Sequence, residues 1–205
     1  MCPRPYRAGE RRLAATEATR SKILEAARAL LSAPAVTTFS VDAVAERADV
    51  ARMTVYYQFK SKGKLLEALF DDVGARADMG DMRKVFQEND PCKALDLLIE
   101  IFCRLWKTQG SFLRRLNALA ALDVEVDAAL SERGSWRREA LTKVLERLHG
   151  RKPHGDFVDV FHALTSLDTY DLLARHRKSK HIVDLLQRTA RVLAAARGKV
   201  IAVSP

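Results

Sequence analysis

Apolar side chains recur along the chain at the spacing of an α-helix. The first clear stripe consists of Ile23, Leu24, Ala27, Leu30 and Leu31, which fall on one helical face. Similar stripes continue through the rest of the sequence, and no alternating run is joined to another by hairpin turn residues. The pattern therefore predicts an all-α protein.

Four helices are predicted in the amino-terminal third. The first should end at Pro34, because proline cannot continue a helix. A second follows Ser40, whose side chain can cap it. A break at residues 49–51 leads to a third helix from Arg52 to about Phe59, and Ser61 then caps a fourth. Two short helices joined by a three-residue turn are typical of a helix-turn-helix, which places its second helix in the DNA major groove.

Longer amphipathic helices are predicted beyond a weakly apolar junction at residues 74–80. Glycines punctuate the gaps between them. The predicted segments run from just after Pro91 to about Trp106, from just after Gly110 to about Ala120, from Trp136 to Leu148, from Asp156 to His176 and from Lys180 to about Arg197.

Positive charge is concentrated in the same amino-terminal third. Of the 205 residues, the first 64 carry twelve Lys and Arg against six Asp and Glu, and they contribute most of the net charge of +9. The remainder is nearly neutral. A basic module on a neutral body is typical of a protein that binds a polyanion such as DNA, although a solvated basic surface is also common.

Residues 20–70 resemble the DNA-binding domain of the TetR (tetracycline-repressor-type) family of bacterial regulators. The resemblance rests on Ile23–Ala27, Ser40–Ala48, Thr54–Phe59, Lys60–Lys62 and Leu65–Leu66. Three positions depart from the family pattern: Asp49 stands where the turn usually has glycine, Ala51 where a serine usually caps the recognition helix, and Met53 where a smaller residue is usual.

The resemblance implies a ligand-responsive transcription regulator without enzymatic activity. The expected form is a homodimeric repressor that binds a pseudo-palindromic double-stranded DNA operator and is released by an unidentified small-molecule effector. The alternative is an architectural or partner-regulated DNA-binding protein without such an effector. The expected domains are a basic flexible arm at 1–18, a helix-turn-helix DNA-binding domain at 19–66 and a larger helical effector-binding and dimerisation domain at 67–205.

Eight residues are expected at the DNA. Arg52 is the candidate for guanine readout and Gln58 for adenine, since their side chains can form paired hydrogen bonds with these bases. The resemblance assigns Lys62 to a phosphate. Tyr56 and Phe59 are alternatively core residues. The full set is Ser40, Arg52, Met53, Thr54, Tyr56, Tyr57, Gln58 and Lys62.

The carboxyl-terminal part is expected to dimerise and to hold the effector. Its last two helices are the candidate interface, in which they would form a four-helix bundle with their copies. Apolar walls with a few polar groups are typical of small-molecule pockets. The candidate pocket residues are Phe102, Trp106, Leu113, Asn117, His162 and Tyr170.

No catalytic, cofactor or metal motif is present. The sequence lacks a G-x-S-x-G, H-E-x-x-H or phosphate-loop pattern. The carboxylates of Asp123, Glu125 and Asp127 could gather a cation but are more often simply solvated. Three dispersed cysteines, the short apolar runs and the absence of a secretory signal predict a cytoplasmic protein without a membrane span, cofactor or metal.

Overall fold

The computed structural model describes residues 6–33 and 39–196, with side chains from residue 9 onward. This part of the chain is all-α, as predicted, and contains ten α-helices and one short 3₁₀ turn, Met79–Asp81. The helices are α1 (Tyr6–Ser32), α2 (Val41–Arg47), α3 (Arg52–Phe59), α4 (Lys62–Arg76), α5 (Met82–Gln87), α6 (Pro91–Ala120), α7 (Val124–His149), α8 (Gly155–Leu164), α9 (Leu167–Ala174) and α10 (Ser179–Ala195).

Two compact units make up the chain. The first combines residues 1–72 with 112–130, and the second combines 73–111 with 131–205. The helices α4, α6 and α7 each contribute residues to both units. The units are therefore not simple successive stretches of sequence.

The first unit is built around the apolar faces of its short helices. α1 packs on α2, and α2 packs on α3. Ser40 caps α2 by accepting the Ala43 N–H at 3.2 Å, and Ser61 caps α4 by accepting the Lys64 N–H at 3.1 Å. The side chains buried at the centre of this unit are Ile23, Ala27, Leu31, Val44, Ala45, Val55, Phe59, Leu65, Leu66 and Leu69.

The first helix begins much earlier than the sequence pattern indicated. α1 starts at Tyr6, so residues 6–18 are helical where a flexible arm was predicted. This stretch is rich in Ala, Arg and Glu, which have high helix propensity and do not need an apolar stripe to form a helix. Residues 1–5, including Arg4 of the predicted arm, and Pro34 lie outside the described residues.

The second unit has a core of apolar side chains from its long helices. Its most buried positions lie on α6, α7, α8 and α10, and they include Leu98, Phe102, Leu141, Val144, Phe161, Ile182 and Leu186. Among the described residues, no helix combines the length and the apolar character required to cross a membrane.

Three predicted boundaries in the long helices were wrong. α6 continues through Gly110, and α7 starts at Val124 and continues through Gly134, because one glycine costs a helix only about 1 kcal/mol. The predicted helix 156–176 is instead divided between α8 and α9. Ser166 caps α9 by accepting the Thr169 N–H at 3.1 Å, which starts a new helix at this point.

Candidate nucleic-acid interface

The turn between α2 and α3 forms with Asp49 in a left-handed backbone conformation. Asp49 adopts φ 47°, the left-handed region that a glycine would enter more easily. Its N–H donates to Glu46 O, and the Val50 N–H donates to Ala45 O, both at 3.1 Å. Ala51 precedes α3 and provides no side-chain cap. The family's glycine and serine are thus absent, yet the turn and the helix both form.

One face of α3 is buried and the other is open. Val55 and Phe59 are buried, and the Arg20 guanidinium lies 4.3 Å from the centre of the Phe59 ring. On the opposite face Met53 and Tyr57 are each 73% exposed. This face of α3 is therefore accessible to a binding partner.

Arg52, at the start of α3, is held by two neighbours. Its Nη1 lies 3.1 Å from Asp42 Oδ1 on α2, and its Nη2 donates to the Tyr56 hydroxyl at 3.3 Å. The guanidinium also lies 5.5 Å from the centre of the Tyr56 ring. The hydrogen bond with Tyr56, and then the charge of Asp42, raise the pKa of Arg52. Arg52 remains exposed, so the site presents a cation in a defined orientation.

Gln58 is turned towards α1. Its Nε2 donates to the Thr16 carbonyl at 3.3 Å, and Arg20 Nη1 donates to the Gln58 carbonyl at 3.1 Å. These bonds hold the end of α3 against α1. The side chain that was predicted to pair with adenine is therefore already engaged within the protein. The partner residue lies 42 positions away in the sequence, so no local pattern could have indicated it.

Lys62, the predicted phosphate ligand, is bound by two carboxylates. Its Nζ lies 2.8 and 2.6 Å from the two Asp123 oxygens and 3.2 Å from Glu125 Oε2. The Lys62 and Asp123 side chains are only 18% and 15% exposed. Two of the three acidic residues considered for a cation, Asp123 and Glu125, thus bind this ammonium group, and the described residues contain no cluster of three or more His, Cys, Asp or Glu suited to a metal.

The ion pair shifts the pKa of both partners. Burial opposes the charge of Lys62, but the hydrogen bonds with Asp123 and Glu125 outweigh it and raise the pKa of the ammonium group. Burial likewise opposes ionisation of Asp123, but the Lys62 hydrogen bond and the backbone N–H of Val126 lower its pKa on balance. Both groups are therefore charged over the whole neutral range.

The other predicted DNA contacts differ in exposure. Ser40 and Thr54 are half-buried, and the Ser40 hydroxyl is used as a helix cap. Tyr56 is half-buried, whereas Tyr57 is exposed with the Lys60 ammonium 5.2 Å from its ring centre. The open surface, called the α3 face below, consists of Arg52, Met53, Tyr57 and Lys60.

The predicted effector residues are divided between the two units. Phe102, Trp106, His162 and Tyr170 belong to the second unit, whereas Leu113 and Asn117 belong to the first. Asn117 is exposed, so it does not line an interior pocket. It lies between the buried Leu116 and Leu119 in sequence, yet its own side chain is on the surface of α6.

Phe102, Trp106 and His162 meet at Arg137 of α7, a residue that the sequence analysis missed. The Arg137 guanidinium lies 5.8 Å from the ring centre of both Phe102 and Trp106. Its Nη1 donates to the His162 carbonyl at 2.8 Å and to Thr165 Oγ1 at 3.1 Å. Arg137 occupies a position of the apolar stripe that continues with Ala140, Leu141 and Val144. The charged Arg137 at an apolar position of the helix was the sequence feature that could have indicated this cluster.

Burial governs the ionisation of this cluster. It lowers the pKa of Arg137 to about 10, with Asp168 acting in the opposite direction. Burial, and then the charge of Arg137, also lower the pKa of His162. Trp106 Nε1 donates to the Thr165 carbonyl at 3.0 Å, and Tyr170 donates its hydroxyl hydrogen to Ser179 Oγ at 3.2 Å. The cluster combines aromatic walls with a cation that remains charged at neutral pH.

The arrangement of α1–α4, with its open α3 face, is that of a helix-turn-helix DNA-binding domain. Residues 23–69 match the family model described as bacterial regulatory proteins, tetR family. This segment of the chain is therefore similar to the DNA-binding domain of TetR-family transcription regulators. Comparison with curated protein sequences gives no match.

Solved structures share the fold over most of the chain. A candidate TetR-family transcriptional regulator from Mesorhizobium loti has a TM-score of 0.62 at 15% identity, over 88% of this chain and 97% of its own. A candidate fatty acid metabolism regulator from Clostridium perfringens has a TM-score of 0.59 at 20% identity, with 81% and 94% covered. NalD from Pseudomonas aeruginosa, the secondary repressor of the MexAB-OprM multidrug efflux pump, has a TM-score of 0.59 at 22% identity, with 84% and 96% covered.

Proposed function

We propose that this protein is a homodimeric repressor that binds a pseudo-palindromic operator and is released by a small-molecule effector. The observation that carries the proposal is the α3 face. A short helix, fixed on its inner side by Val55 and Phe59, presents Arg52, Met53 and Tyr57 to the outside. This is the arrangement by which a recognition helix enters the major groove.

Arg52 is the proposed base-reading residue. Its guanidinium can donate two hydrogen bonds to guanine O6 and N7, and Asp42 and Tyr56 limit the orientations from which it does so. Tyr57 and Lys60 are proposed to contact phosphates, and Met53 to contact the apolar edge of a base or a sugar. Phosphate contacts fix the position of the helix, whereas base contacts select the sequence.

Dimerisation would place two α3 faces on one DNA duplex. A symmetric dimer reads two half-sites about one helical turn apart, which explains why operators of this type are pseudo-palindromic. The second unit leaves apolar side chains open on its last helices, including Val160 on α8 and Val192 on α10, which are 42% and 70% exposed. We propose that these helices pack against their copies in a four-helix bundle.

The effector is proposed to bind in the second unit near the aromatic cluster of Phe102, Trp106 and His162. NalD, which shares the fold, is a repressor of a multidrug efflux pump, and EbrR, a multidrug-binding protein at 18% identity and a TM-score of 0.51, shares it as well. An effector releases DNA only if it binds more tightly to the conformation that does not fit the operator.

Operator selection from random duplexes, followed by binding titrations, tests the proposal. The full-length protein should enrich sequences with two inverted half-sites. Arg52→Ala should weaken binding to the selected operator by about 5- to 150-fold and should reduce the preference for one base pair in each half-site. The matched control is Arg47→Ala, which removes an exposed arginine from α2. It should affect the selected and the random duplexes equally.

Two results would contradict the proposal. If Arg52→Ala weakened the operator and random duplexes to the same extent, Arg52 would not read a base, and the alternative of an architectural DNA-binding protein would be favoured. If the enriched duplexes carried a single half-site, the protein would not bind as a symmetric dimer.

A further inference from the structure

A groove lies where α7 passes into α8, within the second unit. It has a volume of about 660 Å³ and is lined by Leu148, His149, Arg151, Lys152, Pro153, His154 and Phe157. This is within the range of about 300–1,000 Å³ that small-molecule sites occupy. None of the residues proposed for DNA or effector binding lines it. It is therefore separate from the sites considered above.

The bend of the chain that forms the groove is well defined. Gly150 adopts φ 67° and its N–H donates to Glu146 O at 2.8 Å, which ends α7. His154 caps α8 by accepting the Asp156 N–H at Nδ1, at 3.4 Å. The three residues between Gly150 and His154 (residues 151–153) are thus held between two helix ends of defined geometry.

The apolar part of the groove is aromatic. Phe157 is buried, and its ring centre lies 5.3 Å from that of His149 and 4.9 Å from that of Phe161. His149 Nε2 donates to the Ala194 carbonyl at 3.1 Å, since a carbonyl can only accept. That bond fixes the imidazole ring. Together with Leu148 and Pro153, these rings offer a surface for a planar apolar group.

The charged part of the groove is cationic. Arg151 and Lys152 are exposed, and neither forms an ion pair or a side-chain hydrogen bond with the described residues. None of the seven lining residues is acidic. The carboxylate of Asp156 lies beside the groove, but it is 3.4 Å from His154 Nδ1. Two cations without a carboxylate partner beside aromatic rings favour an anion that carries an apolar body.

We propose that this groove is a binding site for small organic anions, in which the aromatic surface of His149 and Phe157 takes the apolar body and Arg151 and Lys152 take a carboxylate or sulfonate. The proposal does not depend on the DNA-binding function or on the effector site near Arg137.

Nuclear magnetic resonance on the ¹⁵N-labelled full-length protein tests the proposal. The probe is naphthalene-2-sulfonate, and its neutral counterpart is 2-naphthalenemethanol. The sulfonate should shift the backbone amides of residues 148–157 and should bind there about fivefold or more tightly than the alcohol. Arg151→Ala together with Lys152→Ala should lower the affinity for the sulfonate about fivefold, because exposed charges each contribute modestly to binding. The affinity for the alcohol should not change.

The control removes the same charge elsewhere in the second unit. Arg177→Ala together with Lys180→Ala removes two exposed cations away from the groove and should leave both titrations at residues 148–157 unchanged. Equal affinity for sulfonate and alcohol, sulfonate shifts confined to other residues, or undiminished sulfonate binding by the Arg151 and Lys152 variant would each overturn the proposal.

Discussion

Lys62 begins α4, where the positive end of the helix dipole disfavours a cation. Asp123 and Glu125 offset that unfavourable position with short hydrogen bonds to its ammonium group. Arg52 is in a similar situation at the start of α3, where Asp42 compensates its charge. At both helix starts a carboxylate from another helix or its cap stabilises the charge of the basic residue.

The Lys62–Asp123 pair should make stability depend on pH in a defined way. Since folding lowers the pKa of Asp123, its contribution is fully present well above the ordinary value of 3.8 and is lost as the pH falls through the lowered value. Folding raises the pKa of Lys62, so its contribution is present below 10.5 and is lost only as the pH rises through the raised value.

Asp123→Asn tests this pair while keeping the α7 cap, because asparagine can still accept the Glu125 and Val126 N–H groups. At pH 7 the variant should lose about 1–3 kcal/mol of unfolding free energy, measured by urea denaturation. The difference from the unsubstituted protein should shrink as the pH falls below 3.8. Asp127→Asn, at an exposed position of the same helix, should change stability by less than about 0.5 kcal/mol. A difference that does not vary with pH would contradict the ionic origin of the effect.

At the scale of the helices, the sequence predicted most accurately those helices that begin after a capping residue. The starts of α2 and α4 were predicted from Ser40 and Ser61, which do cap these helices. The errors at Gly110 and Gly134 arose because the sequence alone does not distinguish a glycine within a helix from a glycine that follows one.

For the candidate site, exposure of Arg52 and Tyr57 follows from the apolar period of α3. The engagement of Gln58 and Lys62 does not, because their partners lie 42 and 61 residues away.

Substitution by alanine should change the unfolding free energy in opposite directions at Gly134 and Gly150. Gly134 lies within α7, and an added Cβ would meet nothing within 4 Å, so Gly134→Ala should raise the unfolding free energy by about 0.5–1 kcal/mol. Gly150 also has open space but a φ of 67°, so Gly150→Ala should lower it by about 1 kcal/mol. Denaturation at a fixed protein concentration measures both. Equal signs would show that backbone conformation does not decide the outcome.

At the scale of the whole molecule, the proposed dimer predicts where an introduced charge should disrupt dimerisation. Val192→Glu places a carboxylate on an exposed position of α10 and should convert the dimer to a monomer, as measured by light scattering after size-exclusion chromatography. Leu13→Glu is the matched control, since Leu13 is 72% exposed on α1 and lies outside the proposed interface. A variant at Val192 that remains dimeric, or a monomeric unsubstituted protein, would contradict the assignment of α10 to the interface.

The ion pairs within the first unit reduce the number of unpaired cations that a DNA duplex can contact. Lys22, Arg52, Lys62 and Lys64 each have a carboxylate of the protein within 4 Å. A cation that already has such a partner displaces fewer of the counterions condensed on DNA than a free one does. Affinity should therefore decline less steeply with added salt than the number of lysines and arginines in the first unit suggests, and each unpaired phosphate-binding cation should account for a slope of about −0.9 in log affinity against log salt.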